Sequence, residues 1–268
     1  VAKRIGVSPE MVRRYYILEK VLELISHSKY KDKFVLKGGF LIGSYIGLGK
    51  RTTVDMDASV RELNLTKEEI SSVFQELFEK PTKDGISFTI INVKEIREGD
   101  FYPGFRLQVG YNVDGVKDTV KLDISTGDAI IPQAVLHEHK MLFDEENVEI
   151  YAYPIEQILG EKLQTILARS TTNTRSRDFY DIYVLSKFHQ DEFDWATLKK
   201  SFENTMKSRG TEMGEEEMNF ILDLVVSDQI QVQLWQQYVD SHGYASGIAF
   251  TEVIKATHEL IEELGKIT

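Results

Sequence analysis

Asp55 and Asp57 stand two residues apart in Thr53-Val54-Asp55-Met56-Asp57-Ala58-Ser59-Val60, where polar and apolar residues alternate. A period of two is the pattern of a half-buried strand, so both carboxylates project from one face, about 7 Å apart at the backbone. Two hard oxygen ligands on one ledge suit Mg2+, which takes few carboxylates and completes its shell with water and substrate phosphates. In two-metal phosphoryl transfer such a ledge positions both the attacking and the leaving oxygen. Taken alone, an Asp-x-Asp pair more often marks a solvated strand edge, so its surroundings decide.

Three surroundings bear on it. Lys37-Gly38-Gly39 closes one apolar run, residues 34–36, and opens another, residues 40–46. A glycine turn between strand and helix exposes backbone amides and a positive helix end that can hold a triphosphate. It equally suits a tight turn that needs a positive φ. Asp123 lies in Val120-Lys121-Leu122-Asp123-Ile124-Ser125, opposite the apolar side formed by Val120, Leu122 and Ile124. It can join the ledge as a third carboxylate from a neighbouring strand, or stand as an exposed strand residue. Downstream come Glu161-Lys162-Leu163, Arg169 and Arg175-Ser176-Arg177-Asp178-Phe179-Tyr180-Asp181-Ile182-Tyr183. At helical spacing Lys162 shares a face with Arg169, and Asp178 with Asp181. Cations beside a triphosphate offset developing charge, and carboxylates can orient them; the same pattern also describes two salt-bridged surface helices.

The elements that must position these residues follow from periodicity. Residues 10–28 carry an apolar three- and four-residue repeat behind Ser8 and Pro9, which predicts a capped amphipathic helix. A strand over 34–36, a helix over 40–46, the alternating strand over 52–60 and a helix over 66–79 come next. Residues 86–126 read as three strands, broken near 99–104 and at the hairpin turn Asp114-Gly115. Helices are predicted from Pro154 to Arg169 and from Ser176 to Phe188, with three or four more from Asp194 onward. The expected fold class is therefore α/β: a mixed sheet carrying helices over residues 1–140, then a mostly helical part over 141–268, with a soft boundary between them.

Composition excludes several classes. At 268 residues and 42% hydrophobic content the chain can bury a sizeable core. There are no cysteines, which removes disulfides, thiolate metal sites and cysteine nucleophiles. His137 and His139, the one close pair of histidines, are expected at the surface, since on a helix they would face apart. A net charge of -11 argues against a chain that coats nucleic acid along its length. No apolar run is long enough to span a bilayer and the start lacks a secretory-leader pattern, so no membrane partner and a cytoplasmic location are expected. Residues 2–12 carry a fragment of helix-turn-helix spacing, but Arg13 and Arg14 supply too little positive charge for a DNA-reading helix.

Four segments, in order, resemble the AbiEii/AbiGii toxin family of nucleotidyltransferases, found in bacterial abortive-infection and type IV toxin-antitoxin systems and related to the MenT toxins. They are Phe34-Val35-Leu36-Lys37-Gly38-Gly39, Arg51-Thr52-Thr53-Val54-Asp55-Met56-Asp57, Glu161-Lys162-Leu163 and Arg177-Asp178-Phe179-Tyr180-Asp181-Ile182-Tyr183. The resemblance implies a polymerase-beta-like nucleotidyltransferase core whose active-site cleft is completed by the helical part. It implies Mg2+ on Asp55, Asp57 and Asp123, and nucleotide contacts from Lys37, Gly38, Gly39, Arg51, Thr53 and Lys162. Asp178 and Asp181 match the family's late aspartates and would belong to the catalytic set. The implied reaction moves a nucleotidyl group from an NTP to an acceptor, RNA and notably tRNA ends, with a cognate antitoxin encoded nearby. In the wider superfamily a Ser or Thr often follows the second glycine, where this chain has Phe40. A phosphotransferase on the same fold, or a nucleotide-binding regulator without chemistry, are the alternatives.

Overall fold

The computed structural model describes residues 1–63, 66–96, 104–127 and 129–267. The chain divides into two compact units, Val1–Ala129 with Ala134–Ala152, and Ile130–Gln133 with Tyr153–Thr268. The division falls after Ala152, later than residue 140, because the chain makes two further strands before turning helical.

The first unit opens with the short helix α1 (Ala2–Ile5) and the long helix α2 (Pro9–Ser26), whose first turn is capped by Ser8 Oγ accepting the Met11 N–H at 3.2 Å. Then come β1 (Phe34–Lys37), α3 (Gly38–Ile46), β2 (Asp55–Val60), α4 (Lys67–Leu77), β3 (Ser87–Glu95), β4 (Gly104–Val113) and β5 (Val116–Ser125). Strands β6 (Val135–Lys140) and β7 (Asn147–Ala152) complete the unit. Among the described residues these form one seven-stranded sheet in the order β3-β4-β5-β2-β1-β7-β6. It is mixed: β1 runs parallel to β7 and β2 to β5, while the remaining pairs are antiparallel. The strands predicted over 86–126 and the Asp114-Gly115 turn are present; the break expected near 99–104 lies largely outside the described residues.

Met56, Ala58, Val60, Val120, Leu122 and Ile124 are buried, as the alternation requires. Val54 is not: the strand begins one residue later, and Val54 lies 40% exposed ahead of it. The histidines depart from expectation for a related reason. His137 and His139 sit on β6, where a two-residue step returns to the same face, and His139 is fully buried. Ser44 Oγ on α3 lies 2.7 Å from both His137 Nε2 and His139 Nδ1. His139 Nε2 lies 3.0 Å from Oε1 of buried Glu19 on α2, which also accepts the Leu142 N–H at 2.9 Å. Helix α2 is tied down further by buried Lys20, whose ammonium meets Glu23, Asp84 and Asp144 at 3.0, 2.7 and 2.7 Å. Arg13 and Arg14 are spent within the unit, on Asp118, Tyr111 and Glu10.

The second unit holds α5 (Ile155–Arg169), α6 (Ser176–Phe188), α7 (Trp195–Ser208), α8 (Glu215–Ser227), α9 (Gln229–Ser241) and α10 (Phe250–Lys266). Helix α5 packs on α6 and α7, and α10 on α6 and α8. The core between them is built from Ile158, Leu163, Ile166, Phe179, Leu185, Leu198, Leu222, Val253 and Leu260. Glu215, Glu216 and Glu217 are exposed in the first turn of α8, where negative charge meets the positive helix end. Among the described residues, no helix is long and apolar enough to cross a membrane.

Candidate active site

Strand pairing assembles the acidic ledge in the first unit. Lys37 on β1 pairs with Asp57 on β2, Asp57 with Asp123 on β5, and Asp123 with Arg106 on β4. Paired residues share a face, so Lys37, Asp57, Asp123 and Arg106 form one row across four adjacent strands, with Asp55 two residues along. The three carboxylates anticipated from the sequence thus stand on one face of two adjacent strands. The Lys37 side chain crosses β2 to donate from Nζ to Ser125 Oγ at 2.7 Å, two residues along β5 from Asp123.

The glycine turn is fitted to this row. Gly38 has φ +68°, and a Cβ there would fall 2.2 Å from Asp57 Oδ2. Both the backbone and the space at this position therefore require glycine. A Cβ on Gly39 would lie 3.1 Å from both Arg51 Nη2 and Thr53 Oγ1, so these two side chains approach the same turn. Thr53 Oγ1 donates to Asp55, 2.9 Å from Oδ1 and 3.1 Å from the carbonyl oxygen, and so turns the Asp55 carboxylate. Arg51 is buried and donates to the Thr52 carbonyl oxygen. Helix α3 begins at Gly38 with Lys37 as its cap, and no side chain caps its first amides, which suits an anion. Phe40 points away from this chemistry: it is fully buried and stacks on Tyr15, ring centroids 4.7 Å apart. Its place after Gly39 is filled by core packing, so no side-chain hydroxyl stands at that position.

Asp123 is already engaged. Arg106 Nε donates to Asp123 Oδ1 at 2.7 Å and Nη2 to Oδ2 at 2.6 Å. Hydrogen bonding by Asp123 raises the guanidinium pKa further, against the cost of partial burial, and the charges of Asp55 and Asp57 add to it. Among the described residues no three His, Asp or Glu side chains gather as a ready-made metal site. The donor set still fits Mg2+, because that ion needs only one or two carboxylates when substrate phosphates complete its shell. Asp55 and Asp57 would be those two; Asp123, in register with Asp57, has both oxygens on Arg106 in this structure. Arg106 was missed in the sequence, although the alternation of Phe105-Arg106-Leu107-Gln108-Val109 aims Arg106 and Gln108 to one side of β4.

The helical unit gathers the remaining candidates. Lys162 Nζ lies 2.7 Å from Asp178 Oδ1 and 2.7 Å from Asp181 Oδ2, both carboxylates being fully buried. Arg175 Nε adds a contact of 2.9 Å to Asp178 Oδ2. Burial of both aspartates sets this cluster apart from surface salt bridges, since buried carboxylates persist only when paired. Arg169 is exposed in the last turn of α5, outside these contacts.

A mixed sheet with two carboxylates on one strand, facing a glycine turn that opens a helix, is the arrangement of a nucleotidyltransferase. The fold is similar to that of two solved proteins: one described as a candidate nucleotidyltransferase of H. pylori, at 18% identity and TM-score 0.54, matches over 98% of this chain and 99% of its own. JHP933 of Helicobacter pylori, also at 18% identity and TM-score 0.54, matches over 97% of this chain and 95% of its own. No curated protein matches the chain. Residues 20–256 match the family described as nucleotidyl transferase AbiEii toxin, type IV TA system, and the chain belongs to that family. It is accordingly a nucleotidyltransferase of a toxin-antitoxin system, a setting that implies a cognate antitoxin.

Proposed function

We propose that this enzyme transfers a nucleotidyl group from an NTP to an RNA acceptor, notably a tRNA end, in a Mg2+-dependent reaction centred on Asp55 and Asp57. The observation that carries the reading is the row of Asp57 and Asp123, with Asp55 beside it, at the turn Lys37-Gly38-Gly39. Asp55 and Asp57 would hold Mg2+, which supplies a positive centre that offsets charge on the reacting phosphates. Thr53 keeps the Asp55 carboxylate turned toward its task through a 2.9 Å hydrogen bond. The amides at the start of α3, with Lys37, Arg51 and Thr53 close by, suit the triphosphate. An acceptor hydroxyl oxygen bonds to the α-phosphorus, the bond to the bridging oxygen breaks, pyrophosphate leaves, and a carboxylate of the row takes the hydroxyl proton. The family resemblance supports Lys162 as a nucleotide-contacting cation, with Asp178 and Asp181 holding its ammonium. NTPs and RNA place the reaction in the cytoplasm, where the antitoxin encoded nearby would oppose it.

The test is incubation of the purified protein with each labelled NTP, Mg2+ and total RNA. Label should appear on RNA, and Asp55→Ala should reduce it by about a hundredfold or more, on the scale of losing a group that acts in the transition state. NTP binding without any labelled product would overturn the reading.

A further inference from the structure

Arg106 presents a half-exposed guanidinium on a carboxylate that the active-site row needs. Its side chain is 43% exposed against 14% for Asp123, and both carboxylate oxygens accept its hydrogen bonds, at 2.7 and 2.6 Å. While the fork holds both oxygens, the guanidinium takes one lone pair on each and offsets the carboxylate charge, which weakens what Asp123 can offer a metal. The guanidinium, the more exposed partner, is open on its outer side to a second anion that could draw it off the carboxylate. The group best able to replace the carboxylate on a guanidinium is a phosphate, which matches its planar fork equally well. The strand pairing keeps Arg106 in the same row as Asp57 and Lys37, at the opposite end from the turn that suits a triphosphate, with its fork reaching inward to Asp123.

We propose that Arg106 is a positioning residue that latches Asp123 in the nucleotide-free enzyme and releases it to the metal when a nucleotide phosphate takes the guanidinium. The inference rests on the metal and nucleotide reading of Asp55 and Asp57 given above. It makes metal and nucleotide mutually supportive: each raises the affinity for the other by the same factor, as linkage requires. The resting site is thereby poised to load both together.

The experiment is Mn2+ binding followed by electron paramagnetic resonance, with and without a non-hydrolysable NTP, on the full chain. Wild type, Arg106→Gln, Asp123→Asn, the double variant and Asp55→Ala are compared, with circular dichroism to confirm folding. Without nucleotide, Arg106→Gln should bind Mn2+ about tenfold more tightly, and the gain should vanish when Asp123→Asn is added. The nucleotide should then improve Mn2+ binding less in Arg106→Gln than in wild type. Arg106→Lys, which keeps the charge and loses the fork, should show a smaller gain in the same direction. An unchanged or weaker affinity in Arg106→Gln overturns the latch, as does a gain that survives Asp123→Asn, since that would be a general charge effect. Failure of the underlying reading has a different signature: Asp55→Ala would leave Mn2+ binding intact.

Discussion

Gly38 is the residue where backbone, space and chemistry meet. Its φ of +68° and the 2.2 Å approach of an added Cβ to Asp57 Oδ2 mean that Gly38→Ala must either shift the turn or turn the Asp57 carboxylate. We expect that substitution to destabilise the fold by about 2 kcal/mol, read from a denaturant midpoint, since positive φ strain and a displaced side chain add. An unchanged midpoint would show that the turn relaxes freely. Asp55 is governed differently: its orientation comes from the Thr53 hydroxyl and not from steric confinement. Thus two carboxylates of one strand are set by two devices, a missing side chain for one and a hydrogen bond for the other.

At the scale of elements, the strands and helices that carry the site were legible because each has a strong local signal. Ser8 and Pro9 announced α2, the Asp114-Gly115 turn announced the β4–β5 hairpin, and strict alternation announced β2. Strands β6 and β7 were not foreseen. On β6, His137, His139 and Lys140 occupy a strand whose exposed Leu136 blurs the alternation, and β7 gains its place by pairing with β1 far earlier in the chain. The carboxylates of the site could be read from spacing, whereas the Arg106 fork on Asp123 depends on a register that spacing does not contain. Helices α5 and α6 carry a prediction of their own. Lys162→Met would strand Asp178 and Asp181 as buried carboxylates without the lysine, at a cost of about 3 kcal/mol. Adding Asp178→Asn and Asp181→Asn should recover part of that loss in thermal unfolding; no recovery would mean the lysine acts through packing alone.

For the whole molecule, stability should depend on pH through the polar cluster in the first unit. Burial, then the neighbouring His139, lowers His137 from its ordinary 6.5 to about 4. Between those values the unfolded chain takes up a proton that the fold refuses, so stability is retained above about pH 6.5 and lost as pH falls toward 4. The effect is roughly 2 kcal/mol after allowance for partial exposure. Glu19 works the other way: burial raises its pKa despite the hydrogen bond from His139, so the fold favours its protonated form and loses that advantage as pH rises. Comparing wild type with His137→Gln by chemical denaturation at pH 7 and pH 5 isolates the first effect. The variant should show a flatter profile, and equal slopes would assign the pH dependence elsewhere.

The parallel pairing of β1 with β7 joins Val35 to Tyr151, a span of 116 residues (151 − 35). Contacts so distant in sequence are slow to form, because the intervening loop must close first. During synthesis, then, β1 emerges well before β7 and keeps one hydrogen-bonding edge open until Tyr151 has left the ribosome. An open edge beside the apolar stretch Phe34-Val35-Leu36 is a template for pairing with other chains. Nascent chains that stall before Asn147 should therefore be the form of this protein most prone to aggregate, and the most dependent on chaperones.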